Sequence, residues 1–187
     1  MSLFDEITTH YTKLNTALQT ETAGGTIRGA RGTLVETMID IIAKHLGLES
    51  RVGDKDLKEI TVQHNGKTYV AQHQVDRHLY YKGKFVAIVE CKAYLDSCYY
   101  VRACHDFKRM KRSYPGIKAY VFALEDSISH EAKIFTDADF DNVCDGVFFM
   151  CDGKRSSAKP IYKAEHAKTI VQAKLEAFHA HLALLIS

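Results

Sequence analysis

The sequence predicts an α/β protein with a mixed central β-sheet flanked by helices, and three observations support this prediction. Apolar residues at helical spacing precede a set of strand-like segments, a helix that begins at capping residues lies among these segments, and a long helix follows them. Asn65-Gly66 and Lys82-Gly83-Lys84 each separate two strand-like segments, which indicates antiparallel hairpins. The resulting order is helix, antiparallel strands, helix, strand, short connection, strand and helix, which suits an α/β sandwich built on a mixed sheet.

Length and composition indicate an ordinary globular protein. The 187 residues suit a single domain over 1–187, and 46% hydrophobic with 26% charged residues is typical of such domains. The net charge of +2 does not by itself indicate a polyanionic partner. No apolar run reaches the roughly 20 residues of a membrane span, so we expect no membrane partner. With five irregularly spaced cysteines and no signal peptide, we expect a cytoplasmic protein with free thiols, without zinc and without an organic cofactor.

The N-terminal region is expected to precede the core. Residues 1–30 form an arm in this interpretation, and the four glycines within 20–32 favour a mobile loop. Thr33–Leu46 then has an apolar stripe at helical spacing, and Gly47 ends the predicted helix. We expect the core of the domain over about 31–152.

The middle of the chain contains apolar or alternating runs bounded by turn residues, which predict strands. One helix lies among them and begins at residues whose side chains can cap N–H groups. The predicted elements are, in order, a hairpin at Ile60–Gln72, strands at Val75–Tyr81 and Phe85–Lys92, a helix from Asp96-Ser97 to about Ser113, and strands at Lys118–Leu124 and Gly146–Cys151.

A long C-terminal helix is predicted over residues 164–186. Its apolar residues either form a dimer surface or pack on the chain's own domain, and the pattern leaves both interpretations open. These residues are Ile170, Leu175, Phe178, Leu182 and Leu185.

The apolar strand that begins at Phe85 ends in charged residues. Glu90 and Lys92 lie two positions apart and therefore share one face of the strand, whereas Cys91 points to the other face. If the hairpin is symmetric about Gly83, Asp76 lies directly across from Glu90, with the Cβ atoms about 5 Å apart.

Two opposed carboxylates repel each other, and burial increases the cost. Either one carboxyl group stays protonated or a divalent cation lies between them. Oxygen ligands of this kind suit Mg²⁺, which keeps several waters and takes further ligands from substrate phosphate. Lys92 beside such an ion could orient or deprotonate an attacking water, or stabilise charge on the phosphate.

Asp76, followed fourteen positions later by Glu90-x-Lys92, resembles the motif of the PD-(D/E)XK nuclease superfamily, which includes most type II restriction endonucleases. The resemblance covers roughly Thr33 to Cys151 and implies a restriction-endonuclease-like core with elements in αβββαβ order. It implies that Asp76 and Glu90 bind Mg²⁺ and that Lys92 assists hydrolysis. Val75 stands where the proline of the family's label would be, a position at which that proline is frequently absent.

An acidic residue on the first core helix often joins the site in this family, and Glu36 matches that place, with Asp40 as a substitute one turn later. Each acidic residue also has a plainer interpretation. Glu36 could be a solvated residue on the outer face of its helix. Glu90 could form an ordinary ion pair with Lys92 where the strand reaches solvent. Asp76 could be a loop residue paired with Arg77 or with a lysine of the turn.

The resemblance implies a Mg²⁺-dependent endodeoxyribonuclease that hydrolyses phosphodiester bonds of double-stranded DNA. A type II restriction endonuclease, acting as a homodimer at a short palindromic site, is the first interpretation. Two alternatives stay open: a nuclease of the same fold in DNA repair or junction resolution, and a catalytically inactive DNA-binding module. A thiol enzyme based on Cys91 is disfavoured, because no histidine is placed by the sequence to activate it.

Basic and aromatic residues near the motif are candidate DNA contacts, and each has a structural alternative. Two arginines of the glycine-rich segment could touch DNA or belong to a plain flexible loop. A tyrosine and an arginine after the motif could approach DNA or pack, and the basic run ending the next helix could bind phosphates or compensate the helix dipole. The candidates are Arg28, Arg31, Tyr94, Arg102, Lys108, Arg109, Lys111 and Arg112.

Overall fold

Helices and strands alternate along the chain, and the structure, a computed structural model, describes residues 1–21, 23–52, 60–71, 74–155 and 164–187. Within these ranges, no helix is both long and apolar enough to cross a membrane. The helices are α1 (Leu3–Ala17), α2 (Gly24–His45), α3 (Ser97–Ser113), α4 (His130–Asp139) and α5 (Gln172–Ala183), with short 3₁₀ turns at Leu18–Thr20 and Ala164–His166. The strands are β1 (Glu49–Arg51), β2 (Ile60–His64), β3 (Lys67–Ala71), β4 (Arg77–Tyr81), β5 (Lys84–Leu95), β6 (Lys118–Asp126) and β7 (Gly146–Phe149).

Five of these strands form one mixed central sheet in the order β1-β4-β5-β6-β7. β1, β4 and β5 pair antiparallel, whereas β5, β6 and β7 pair parallel. A helix joins each parallel pair, α3 between β5 and β6 and α4 between β6 and β7, because a parallel crossover needs a long connection. The predicted α/β class, with a mixed central sheet flanked by helices, is confirmed.

Helices cover both faces of this sheet because its strands send alternate apolar side chains into two cores. Phe122 and Leu124 of β6 point into a core shared with α1, α2 and α5, whereas Val121 and Ala123 point into a second core shared with α3. Cys91 lies in the first core, and burial raises the pKa of its thiol well above the ordinary value. A buried thiol of this kind is inert, which argues against the thiol-enzyme alternative.

The hairpin β2–β3 forms a separate two-stranded sheet. Asn65 and Gly66 join its strands with φ angles of 49° and 71°, and positive φ at both residues is what a type I′ turn requires. The predicted hairpin is therefore confirmed, although its predicted last residue, Gln72, lies outside the described residues. The sequence pattern did not separate this hairpin from the central sheet.

The predicted mobile loop at 20–32 is wrong, because α2 begins within this segment and is helical through its end. Each glycine inside a helix costs about 1 kcal/mol relative to alanine. Ile27 and Arg31 are buried on the inner side of α2, and this packing offsets the cost. Within the predicted arm at 1–30, α1 buries Ile7 in the core that α2 shares.

Three elements, α1, β1 and α4, have no predicted counterpart, and one helix begins later than expected. β1 is only three residues long, and α4 lies in the segment that we expected to be a short connection. α5 begins at Gln172 instead of residue 164. Ala164–His166 forms a 3₁₀ turn instead, and Ile170 makes an isolated β-bridge with Cys151 just before α5 begins.

α5 packs on the central sheet of its own chain. Leu175, Phe178 and Leu182 are fully buried, and the ring centroid of Phe178 lies 4.7 Å from that of Phe122 and 4.8 Å from that of Phe148. These three residues therefore pack on the chain's own domain, as one of the two interpretations of this helix expected.

Phe178→Ala is expected to lower the free energy of unfolding by about 3–5 kcal/mol, because it replaces a buried ring with a cavity. Denaturant unfolding followed by circular dichroism measures the change. Leu184→Ala, at a side chain that is 68% exposed, is the control. It should shift the free energy of unfolding by less than about 0.5 kcal/mol. Equal effects of the two substitutions would contradict the packing of α5.

Candidate active site

The beginning of β4 and the second half of β5 bring the three motif residues together. β4 pairs with β5 as far as Arg77, which lies opposite Val89. Asp76 precedes β4, and its Oδ2 accepts a hydrogen bond of 2.8 Å from the backbone N–H of Cys91. A side-chain oxygen therefore satisfies a strand N–H at the point where backbone pairing with β4 stops.

The predicted register of the β4–β5 hairpin is right near the site and wrong near the turn. His78 pairs with Ile88 as expected, but Tyr80 pairs with Phe85 instead of Val86. An irregularity next to Tyr80 produces this shift of one residue, as a β-bulge does. The irregularity lies between His78 and the turn, so the register on the site side is unaffected.

The ammonium group of Lys92 lies between the two carboxylates. Its Nζ is 3.1 Å from Oδ2 of Asp76 and 2.6 Å from Oε1 of Glu90. It also donates a hydrogen bond of 3.1 Å to the carbonyl oxygen of Cys91. The two acidic side chains that the hairpin spacing placed near each other thus converge on one positive charge supplied by the chain itself.

Burial and charge act in opposite directions on this cluster. Burial raises the pKa of Glu90, and the negative charge of Asp76 adds to the increase, whereas Lys92 opposes it. For Lys92, burial alone would lower the pKa, but the charges of Glu90 and Asp76 outweigh burial and the pKa is raised overall. Lys92 is therefore a cation near neutral pH while it contacts both carboxylates.

Arg77 ties the segment that holds Asp76 to helix α2. Its guanidinium donates to Oδ1 and Oδ2 of Asp40 at 2.8 and 3.1 Å, to Oε2 of Glu36 at 2.9 Å, and to the carbonyl oxygen of Asp76 at 2.8 Å. Burial alone would lower the pKa of Arg77, but Asp40 and Glu36 outweigh it and the pKa is raised. Asp76 is therefore paired with Arg77 only through its carbonyl oxygen, whereas its carboxylate contacts Lys92.

Glu36 and Asp40 are the two candidate ligands on the first core helix. They differ in how many of their carboxylate oxygens accept hydrogen bonds from Arg77. Glu36 lines the same cavity as Lys92 and gives Oε2 to Arg77. Asp40 gives both oxygens to Arg77, and its Oδ1 also accepts a hydrogen bond of 2.6 Å from the hydroxyl of Ser50. Asp40 thus joins α2 to the antiparallel strands, while Glu36 stays the predicted third ligand.

A cavity of about 340 Å³ opens over the motif residues. Arg28 of α2 and Arg102 of α3 both line it and both are exposed, so a guanidinium group stands on the wall that each helix provides. Tyr94 lines the cavity as well, with its ring 5.5 Å from that of Tyr99 and beneath the guanidinium of Arg155 at 4.0 Å. Arg28, Tyr94 and Arg102 thus border the cavity from three elements of the chain.

Among the polar side chains of the cavity wall, those of Gln74 and Asp106 were not predicted to belong to the site. Tyr99, Arg102 and Asp106 follow one another at helical spacing on α3, so a face shared with Arg102 was the available signal. Gln74 lies in the segment before β4, where the sequence pattern gives no orientation.

Arg31, a predicted DNA contact, is corrected by the structure. Its side chain is fully buried and donates to Oδ1 of Asn15 at 3.2 Å, and burial lowers its pKa. The prediction failed because it assumed an exposed loop where α2 presents Arg31 to the interior.

The basic run on α3 lies away from the cavity, and two of its members hold local structure. Lys108 pairs with Asp141 at 2.8 Å, and Lys111 pairs with Asp145 at 2.5 Å. The helical rise of 1.5 Å per residue puts this run about 10–15 Å along the axis from Arg102. Its other members are Arg109 and Arg112.

A mixed sheet with two carboxylates and a lysine gathered at an open cavity is compatible with a nuclease fold. No protein-family model matches the chain. The type II restriction enzyme DdeI of Desulfomicrobium norvegicum is 27% identical over 137 residues, which cover 67% of this chain and 57% of that enzyme. The chain thus spans little more than half the length of that relative. The similarity indicates a distant restriction-endonuclease-like relationship and supports a nuclease, and hence a hydrolase.

Proposed function

We propose that this chain is a Mg²⁺-dependent endodeoxyribonuclease of the PD-(D/E)XK type that cuts double-stranded DNA, most readily as a type II restriction endonuclease. The order of elements supports this fold: leaving the separate hairpin aside, α2 is followed by β1, β4 and β5, then by α3 and β6. This succession supports the αβββαβ order that the resemblance implies, with β1 in the place of a strand that the sequence did not reveal.

One observation carries the proposal: the carboxylates of Asp76 and Glu90 lie within hydrogen-bonding distance of a single cation, the ammonium of Lys92. Carboxylates brought this close in a buried setting are costly unless a positive charge is shared between them. An ordinary ion pair at the end of a strand needs only one carboxylate. The second one, held in place by the N–H of Cys91, supports a site built for cations.

The donor set fits Mg²⁺, which prefers oxygen ligands and is often held by only one or two carboxylates plus phosphate and water. In the described part of the chain, no group of three or more His, Cys, Asp or Glu side chains is arranged to hold a metal ion. The proposed protein ligands are Asp76 and Glu90, and Glu36, whose Oε2 accepts a hydrogen bond from Arg77, is proposed as a third. Bound there, Mg²⁺ would supply an activated water and neutralise charge on the phosphate.

The remaining residues of the cavity have roles that follow from their charge. Lys92, released from one carboxylate, would donate a hydrogen bond to the attacking water or to a phosphate oxygen. Arg28 and Arg102 would bind the phosphates that flank the scissile bond, since guanidinium groups suit phosphate oxygens. Tyr94 would lie against the sugar or base beside that bond.

The proposed biological role rests on the similarity to the distant relative together with the motif. We propose cleavage at a short palindromic site by a cytoplasmic homodimer, with one active site for each DNA strand. A repair or junction nuclease of the same fold would use the same cavity on a different substrate. A DNA-binding module without catalysis would not need the opposed carboxylates.

Incubation with plasmid and phage DNA tests the proposal directly. We expect discrete fragments with Mg²⁺ and intact DNA with EDTA, and sequencing of the fragment ends should give one common site. Random degradation, or cleavage of branched DNA alone, would favour the repair or junction alternative. Absence of Mg²⁺-dependent cleavage on every duplex would contradict the nuclease and leave the binding module.

A further inference from the structure

We propose that the β2–β3 hairpin, here called the β2–β3 ribbon (residues 60–71), enters the major groove of the DNA duplex and reads its bases. The inference rests on the proposed function, because it names how that function would select its site. It goes beyond that function because none of the predicted DNA contacts lies in this ribbon.

Exposure is the first observation. Every residue from Gln63 to Val70 is exposed, and the apolar side chains of Tyr69 and Val70 are 52% and 55% exposed. A two-stranded hairpin is only marginally stable in water when nothing covers either of its faces. Large exposed apolar side chains on such an element are typical of a surface that meets a partner.

Position is the second observation. The ribbon ends at Ala71, and Gln74 lines the cavity above the motif residues. Three residues of fully extended chain span at most about 11 Å, so the base of the ribbon is tethered close to the cavity. A duplex whose scissile phosphate lies in the cavity therefore passes within reach of the ribbon.

The charge of the ribbon is the third observation, and it favours DNA as the partner. The ribbon contains Lys67 and His64 and no aspartate or glutamate, although the chain as a whole has 23 acidic residues. An element without negative charge can approach a polyanion without repulsion. A two-stranded ribbon also has the width that the major groove of B-form DNA admits, about 12 Å.

The pairing of the strands separates the ribbon into two faces. Gln63 lies opposite Thr68, and their side chains are joined by a hydrogen bond of 2.7 Å from Nε2 to Oγ1. Val70 shares this face by the alternation of strand residues. An amide, a hydroxyl and methyl groups are the groups that read adenine edges and thymine methyls. Lys67, opposite His64 on the other face, would contact phosphate.

Gln63→Ala is expected to lower selectivity without stopping cleavage. With phage DNA and Mg²⁺, the ratio of cleavage at the mapped site to cleavage at sites differing by one base pair should fall about 5- to 150-fold, the range for one lost base contact. Gln19→Ala, an exposed glutamine outside the ribbon, is the matched control and should keep the wild-type ratio.

Lys67→Ala is expected to weaken binding at all sequences alike. Titration of a 30-base-pair duplex at several salt concentrations should show the dependence of log affinity on log salt reduced by about one unit. Lys13→Ala, at an exposed lysine on α1, is the control. Unchanged melting temperatures would show that neither substitution disturbs the fold.

The outcomes separate this inference from the proposed function. If the wild type cuts at one sequence and Gln63→Ala and Lys67→Ala behave like their controls, the ribbon is not the reading element and the nuclease stands. If the wild type cuts no duplex, the proposed function fails, and the duplex titration decides alone: equal affinities of wild type and Lys67→Ala would overturn the ribbon as well.

Discussion

Glu90→Gln is expected to reduce the rate of DNA cleavage by about 1000-fold, because it removes a charged ligand from the proposed ion site while keeping the shape of the side chain. Binding to the duplex should change by less than about threefold, since the lost interaction acts mainly in the transition state. Single-turnover cleavage of a duplex containing the mapped site measures the first quantity, and fluorescence anisotropy measures the second.

The matched control for this substitution is Glu131→Gln, at an exposed glutamate in the first turn of α4. It makes the same chemical change outside the cavity and should leave cleavage at the wild-type rate. Burial raises the pKa of Glu90, so its charge is unfavourable in the folded state and the glutamine variant should keep its fold. A Glu90→Gln protein that is folded and cuts at the wild-type rate would remove Glu90 from the mechanism.

Arg77→Met is expected to lower the free energy of unfolding by about 2–3 kcal/mol, below the 3–5 kcal/mol typical of a broken buried ion pair. The expected loss is smaller because the two carboxylates are partly exposed. The side chain of Arg77 is 8% exposed, but those of Glu36 and Asp40 are 33% and 44% exposed, so water solvates both carboxylates once Arg77 is replaced. Urea unfolding measures the change. Arg112→Met, at an exposed arginine of α3, is the control and should be nearly neutral.

The same substitution should reduce cleavage even under conditions in which the variant is fully folded. Arg77 donates a hydrogen bond to the carbonyl oxygen of Asp76. Without Arg77, the segment that positions the Asp76 carboxylate is no longer connected to α2 through this side chain. A rise in the Mg²⁺ concentration needed for half-maximal cleavage would show this displacement. Loss of stability with an unchanged Mg²⁺ requirement would limit Arg77 to a structural role.

Local patterns predicted some of the elements that have sharp boundaries. The helix capped by Asp96 ends at Ser113 as expected, and the Asn65-Gly66 turn is a hairpin, because side-chain capping and positive φ are properties of a few adjacent residues. The helical form of the glycine-rich segment could not be read in this way. It depends on burial of Ile27 and Arg31 against distant parts of the chain.

In the site as well, the spacing of nearby residues predicted part of the arrangement, whereas contacts between distant parts of the chain could not be predicted. Strand periodicity put Glu90 and Lys92 on one face, and hairpin symmetry brought Asp76 near them, as the contacts at Lys92 show. The three hydrogen bonds that Arg77 donates to Asp40 and Glu36 were beyond the pattern, because they join α2 to a segment some 40 positions away in the chain. Asp106 was missed for a similar reason, since its place on the cavity wall depends on how α3 crosses the sheet.

The short contacts of Lys92 have a consequence for how the protein would acquire its ion. Because an ammonium already offsets one of the two negative charges, uptake of a divalent ion would exchange one positive group for another. The displaced ammonium then needs a new anion, and a backbone phosphate of DNA supplies one. Ion and nucleic acid would therefore assist each other's entry, and neither would accumulate strongly on the resting protein alone.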